Sequence, residues 1–457
     1  MKLLFIHGWS VTHTDTYGEL PEALLQSAPA ALGLEIHHIH LGKYISFHDE
    51  VTLEDIARGF EQALKDEIGK QKFSCITHST GGPVIRTWVD LKYGAKGKLD
   101  KLPLQHLIML APANHGSALA QLGKSRLGRM KAWWHGVEPG TKILNWLELG
   151  SKTQWALNMS WLAYGPARHN FFPFVFTGQD VDKKLYDHLN SYTGEKGSDG
   201  VIRVCAANMN YRYLKLRQNV QEVLQEQPLM HRLEIVQQSC RESQKTPLAV
   251  IPGASHSGDK MGIMKSVSVQ NAGNKPVVDI IAKALQVKNE ADYGIFTGEM
   301  ADYSTAVQAG SGKYSMVIFY LHDDRGNDIN DYDLLLLFGD TYDPDKFPSG
   351  FFIDRQRNSI DKNRLTYYVR SDKTAKFKDR PLGIRVVARP QAGFSYYTVG
   401  EFRSGQASIN ELITENMTTL VEIELKRHVD RNILQFHPLT MEREDFTDTE
   451  LSGKQVP

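Results

Sequence analysis

Short apolar runs alternating with amphipathic stretches organise the first part of the chain. Leu3 to Ile6 is a continuous apolar run closed by His7-Gly8, the pattern of a strand buried on both faces. Tyr17 to Gln26 then carries Leu20, Leu24 and Leu25 at helical spacing, and Glu35 to Leu41 is a second strand. Thr52-Leu53-Glu54-Asp55 has the form of a capping box, and Leu53, Ile56, Phe60, Ala63, Leu64 and Ile68 continue at the helical period. Phe73 to Thr77, Leu104 to Leu110, Phe174 to Thr177 and Leu248 to Ile251 supply further strands, with helices at Pro83 to Tyr93 and from Pro276 to Leu285. This rhythm predicts an α/β fold: a mostly parallel sheet with helices on both faces, ending near residue 288.

Two departures from the rhythm define the rest. Residues 117–172 interrupt it and hold five of the seven tryptophans, Trp133, Trp134, Trp146, Trp155 and Trp161. An insertion between strands of a parallel sheet is placed to form a helical cap above the strand ends, where open α/β folds bind ligands. From residue 289 to 457 helical spacing largely disappears. Alternations such as Val421/Glu422/Ile423/Glu424/Leu425 predict half-buried antiparallel strands, arranged as a β-sandwich.

Composition removes several classes of function. The 457 residues include 53 basic and 53 acidic side chains, so no net field draws the chain to nucleic acid. Three cysteines cannot make a disulfide framework, which favours a reducing compartment. The N-terminal apolar run is too short for a signal peptide, and no run approaches the ~18 apolar residues of a membrane span. A cytoplasmic location is expected, export needing another route.

The sharpest chemical signal is Cys75-Ile76-Thr77-His78-Ser79-Thr80-Gly81-Gly82, between a strand and a helix. A serine hydroxyl becomes a nucleophile only when a base takes its proton and the chain holds it clear of its neighbours, and a small-x-Ser-x-Gly turn supplies the second condition. The segment resembles the nucleophile elbow of the α/β-hydrolase superfamily, in its lipase and esterase form, with Thr77 where that family most often has glycine. The resemblance implies Ser79 as nucleophile and the Thr80 amide as one oxyanion donor. Ile6-His7-Gly8-Trp9 is similar to the lipase oxyanion loop, which gives the Trp9 amide as the second.

Ser198-Asp199-Gly200-Val201 resembles the segment carrying the family's acid, with Asp180 as a rival, and His256 follows the last sheet strand as the family's histidine does. The order Ser79, Asp199, His256 is the one expected for this fold. Ala111-Pro112-Ala113-Asn114-His115-Gly116-Ser117 looks like the Pro-x-x-His-Gly-Ser segment with which lipases enter the lid, giving His115 a structural or lid-anchoring place beside the cap residues Trp133 and Trp134.

These readings predict a serine esterase of lipase type, acting on lipid acyl esters and in a narrower version on phospholipids. It would need neither metal nor cofactor. A thioesterase, an amidase, an acyltransferase and an inactive binding protein on the same fold are the alternatives. Peripheral membrane contact would come through the C-terminal domain or the cap, where Lys124, Arg126, Arg129 and Lys131 precede Trp133-Trp134. The clustered acids from Asp323 to Asp333 read as a hydrated hairpin tip, with calcium binding as the competing view, and His37, His38 and His40 read as structural.

Overall fold

The computed structural model describes residues 1–8, 16–46, 48–121, 140–181, 195–223, 230–373, 381–390, 394–405 and 412–429. Strands β1 (Lys2–His7), β2 (Glu35–His40), β3 (Phe73–His78), β4 (Leu104–Leu110), β5 (Phe172–Gly178) and β9 (Leu248–Ile251) form a six-stranded sheet in the order β2-β1-β3-β4-β5-β9. Every pairing in it is parallel. The order reverses between β1 and β3, so the carboxyl ends of those two strands flank a topological switch point.

Alternate residues of each strand enter different cores. Leu4, Cys75, Leu107, Met109 and Val175 pack with helices α2 (Leu53–Ala63) and α3 (Gly81–Val89). Phe5, Ile76, Ile108, Phe174 and Ala249 pack on the opposite face with α1 (Leu20–Ser27) and a later pair of helices. Two apolar faces explain why these strands read as unbroken hydrophobic runs. The capping box at α2 is present: Thr52 Oγ1 accepts from the Asp55 amide, and the Asp55 carboxylate accepts from the Thr52 amide.

The insertion after β4 contains α4 (Thr141–Leu147) and α5 (Lys152–Trp161). Trp146, Trp155 and Trp161 are core residues, with Trp155 edge-on to Tyr213 and Tyr320. Trp133, Trp134 and the four basic residues before them lie outside the described residues. A short helix, α6 (Val204–Ala207), precedes strands β6 (Tyr211–Val223), β7 (Met230–Ile235) and β8 (Arg241–Glu242). After β9, α7 (Pro276–Ala284) and α8 (Glu290–Val307) complete the second core through Ile281, Tyr293, Phe296 and Met300.

The C-terminal β domain comprises β10 (Tyr314–Asp323), β11 (Tyr332–Phe338), β12 (Phe352–Arg357), β13 (Arg364–Arg370), β14 (Leu382–Ala388), β15 (Ser395–Tyr396), β16 (Val399–Arg403), β17 (Thr418–Leu425) and β18 (His428–Val429). Its strands join β6, β7 and β8 in one ten-stranded sheet, ordered β11-β14-β16-β7-β6-β17-β10-β13-β12 with β8 on β6; β15 and β18 pair separately. Most pairings are antiparallel, but β6 and β10 both run parallel to β17, and β7 runs parallel to β16. The sheet curls around a single core, and its two ends meet: Tyr367 Oη donates to Leu334 O (2.7 Å) and Arg357 Nη2 to Tyr332 O (2.8 Å).

The segment between β12 and β13 grips the insertion. Ser359 donates through its amide and hydroxyl to the buried Glu148 carboxylate (2.5 and 2.8 Å), Asn358 Nδ2 to Leu149 O (3.1 Å), and the Lys152 amide to Asp361 (2.7 Å). At the same end of the domain, where Asn363 Nδ2 donates to Asp328 (2.7 Å), the acids from Asp323 to Asp333 are engaged within the protein. Asp323 accepts from the Arg325 and Asn327 amides, Asp324 pairs with Lys426, and Asp331 and Asp333 pair with Arg389. Among the described residues no cluster of potential metal ligands forms, and no helix is long and apolar enough to cross a membrane.

His106, fully buried in β4, is held between Ser74 Oγ (2.7 Å) and Val287 O (2.8 Å), and burial keeps its pKa down to about 4. The unfolded chain takes that proton near pH ~6.5, so stability is unaffected above that value and falls as acid is added down to about 4. One proton is worth about 1.4 kcal/mol per pH unit. Denaturant unfolding at pH 7 and pH 5 is expected to show a loss that His106→Gln reduces by up to about 2 kcal/mol. An unchanged pH dependence in the variant would refute the assignment.

Candidate active site

Ser79 occupies the turn between β3 and α3 with a left-handed backbone, φ +52°. That conformation costs a non-glycine residue about 1 to 2 kcal/mol, and the surroundings must hold it. They do so through the Ser79 amide, which donates to Leu110 O (3.0 Å), and the Ser79 carbonyl, which accepts from the Gly82 and Ala113 amides (3.3 Å each). Glycine is required behind the turn, because a Cβ on Gly82 would come within 2.9 Å of Pro112 Cβ. Thr77 fits where a smaller residue was expected because Gly81 faces it: a Cβ there would lie 3.2 Å from Thr77 Cβ.

The turn aims Ser79 Oγ at His256, whose Nε2 lies 3.1 Å away, and His256 Nδ1 lies 2.9 Å from Asp199 Oδ2. All three are buried, with exposures of 7% for Ser79, 5% for His256 and 0% for Asp199. An ionised carboxylate only accepts, so Nδ1 carries the ring proton and Nε2 is left to accept from the serine hydroxyl. The other Asp199 oxygen accepts from the Val201 and Ile202 amides (2.9 and 2.7 Å), fixing the carboxylate in rotation. Asp180 points elsewhere and accepts from the Gly253 amide (2.8 Å).

The remaining predicted residues fall as follows. Thr80 stands at the start of α3, where helix N–H groups have no intrahelical partner and the helix dipole favours negative charge. Trp9 lies outside the described residues. His115 is wholly buried beneath the insertion, its Nδ1 3.1 Å from Asn158 Nδ2 of α5 and its ring edge-on to Tyr211. Burial, helped by the nearby Arg86 cation, lowers its pKa to about 3. Of the strand histidines, His37 pairs with Glu35, whereas His38 and His40 pack on His7 at the end of β1, with His7 Nε2 2.8 Å from His38 Nδ1. Burial, reinforced by those two neighbours, lowers His7 to about 3.

Two features escape a reading of the sequence. His78, the residue before Ser79, donates from Nε2 to His256 O (3.0 Å) and packs its ring 4.6 Å from the His256 ring. Behind the elbow the fully buried Arg86 donates to Asn114 and Asn158 and lies over Trp161, which ties α3 to the insertion. Neither pairing has a local signal, since the partners are 178 and 72 residues apart for His78 with His256 and Arg86 with Asn158.

Two solved structures resemble the whole chain. Phospholipase PlaB from Legionella pneumophila in complex with thio-NAD is 41% identical, with a TM-score of 0.87 over 100% of this chain and 99% of that one. A second structure of the same Legionella phospholipase is 42% identical, with the same TM-score and coverage. No protein-family model and no curated protein matched the sequence.

Proposed function

The chain belongs to the family of the Legionella phospholipase PlaB, a lipase-like α/β-hydrolase, and from that premise we propose that it cleaves an acyl ester of phospholipids through a serine-bound acyl intermediate. The observation that carries this reading is the position of His256 between the Ser79 hydroxyl and the Asp199 carboxylate. Ser79 Oγ attacks the ester carbonyl while His256 Nε2 takes its proton, and Asp199 stabilises the imidazolium. The oxyanion accepts from the Thr80 amide and, by likeness to lipases, from the Trp9 amide. Collapse expels the lysolipid alkoxide, which recovers the proton from His256. Water then attacks the acyl-enzyme with His256 again as base, and Ser79 is released with the fatty acid.

Such a substrate sits in a bilayer, so the reading includes contact with a membrane surface through the insertion or the β domain. Hydrolysis of phosphatidylglycerol or phosphatidylcholine vesicles is expected to exceed that of short p-nitrophenyl esters. A fluorophosphonate is expected to add to Ser79, located by peptide mass. A labelled enzyme that spares every phospholipid would overturn the substrate class, and label at another residue would overturn the nucleophile.

A further inference from the structure

The loop bearing Asp199 is closed and held by a buried ion cluster shared with the β domain. Arg203, 2% exposed, donates from Nε to Glu195 Oε2 and from Nη2 to Glu195 Oε1, both at 2.8 Å. The same guanidinium reaches Asp354 Oδ2 of β12 at 2.5 Å and lies 4.0 Å over the ring of Tyr368 in β13. Tyr368 in turn donates from Oη to Lys196 O (2.9 Å). Asp199 therefore stands four residues from each of Glu195 and Arg203, at the tip of a loop whose two stems are joined. Gly197, at φ +76°, lets the near stem press on the β domain, since a Cβ there would come within 2.4 Å of Tyr314. The Val204 amide donates to Gly197 O (2.9 Å), closing the base again.

We propose that Arg203 is a positioning residue for ester cleavage: by clasping Glu195, Asp354 and the Tyr368 ring it seats the 195–204 loop on the β domain and sets the aim of Asp199 at His256. This rests on Ser79, His256 and Asp199 acting as the proposed triad. The fork geometry matters as well as the charge, because a planar guanidinium serves two carboxylates and an aromatic face together, and a lysine ammonium cannot. Through β12 the β domain thereby enters the reaction without touching substrate. Its contribution is the orientation of one carboxylate.

Two substitutions test this in the full-length protein, Arg203→Lys and the milder Asp354→Asn, the second carrying the test if the first does not fold. Both are assayed on a short p-nitrophenyl ester, with the melting temperature and near-ultraviolet circular dichroism checking the fold. Each is expected to lower kcat roughly 10- to 100-fold with KM unchanged within about two-fold. A displaced Asp199 supports the imidazolium less, so the acid limb of kcat/KM shifts to lower pH. In an Asp199→Asn background, Asp354→Asn is expected to cost nothing further, because both act through the same carboxylate. A folded Asp354→Asn enzyme with the parental pH profile, or losses that multiply in the double variant, would overturn the proposal. Retention of full activity by Ser79→Ala would instead overturn the triad on which it stands.

Discussion

Ser79→Ala is expected to reduce kcat on phospholipid by a factor of about 10⁴ or more, with the fold intact. The variant keeps the peptide amides that would receive the oxyanion but has no alcohol to attack the ester. Asp199→Asn, which keeps the side-chain shape and removes the charge that holds Nδ1 protonated, is expected to cost a comparable ~10⁴. Ser79→Ala and His256→Ala together should be no worse than either alone, since the groups act as one unit. Steady-state rates on vesicles, with the melting temperature as a check, decide the matter. More than about one hundredth of parental activity in Ser79→Ala would remove the serine from the mechanism.

A chain ending at residue 312 is expected not to fold at all. Strand β6 lies inside the ten-stranded sheet, and its seven residues from Tyr211 to Arg217 pair with Thr418 to Glu424 of β17. Leu214 and Leu216 point into the core of the β domain, and Tyr211 and Tyr213 into the core shared with α2 and α3. Removing β10 to β18 would leave one edge of β6 with unmet hydrogen-bonding groups and strip both cores, far beyond the about 5 to 15 kcal/mol that stabilises a typical protein. Circular dichroism and gel filtration of the truncated chain test this. A soluble monomer with a cooperative melt would refute it.

The legible parts of the sequence are those in which one segment contains its own explanation. Strands buried on both faces are continuous apolar runs, so β1, β3, β4 and β5 stand out, and the elbow at Ser79 and the turn at Asp199 are set by their own small residues. Strands β6 and β7 do not stand out. Tyr211-Arg212-Tyr213-Leu214-Lys215-Leu216 shifts its apolar phase midway because it serves two cores, and the helix before it, α6, is a single turn with no period of its own to read. Helix α8 buries a narrow stripe of Tyr293, Phe296, Met300 and the polar Ser304, with Ile295 exposed, and its signal drowns in polar neighbours. The contacts around the site that depend on distant partners, Arg203 with Asp354 across 151 residues and His78 with His256, leave no periodic trace.

The left-handed backbone at position 79 sets a limit on engineering for heat resistance. Glycine would relax that turn between β3 and α3, so the substitution most favourable to the folded state locally is the one that would delete the hydroxyl proposed as nucleophile. Heat-tolerant variants will have to be sought in the outer loops and helix ends, where no reacting atom depends on the geometry.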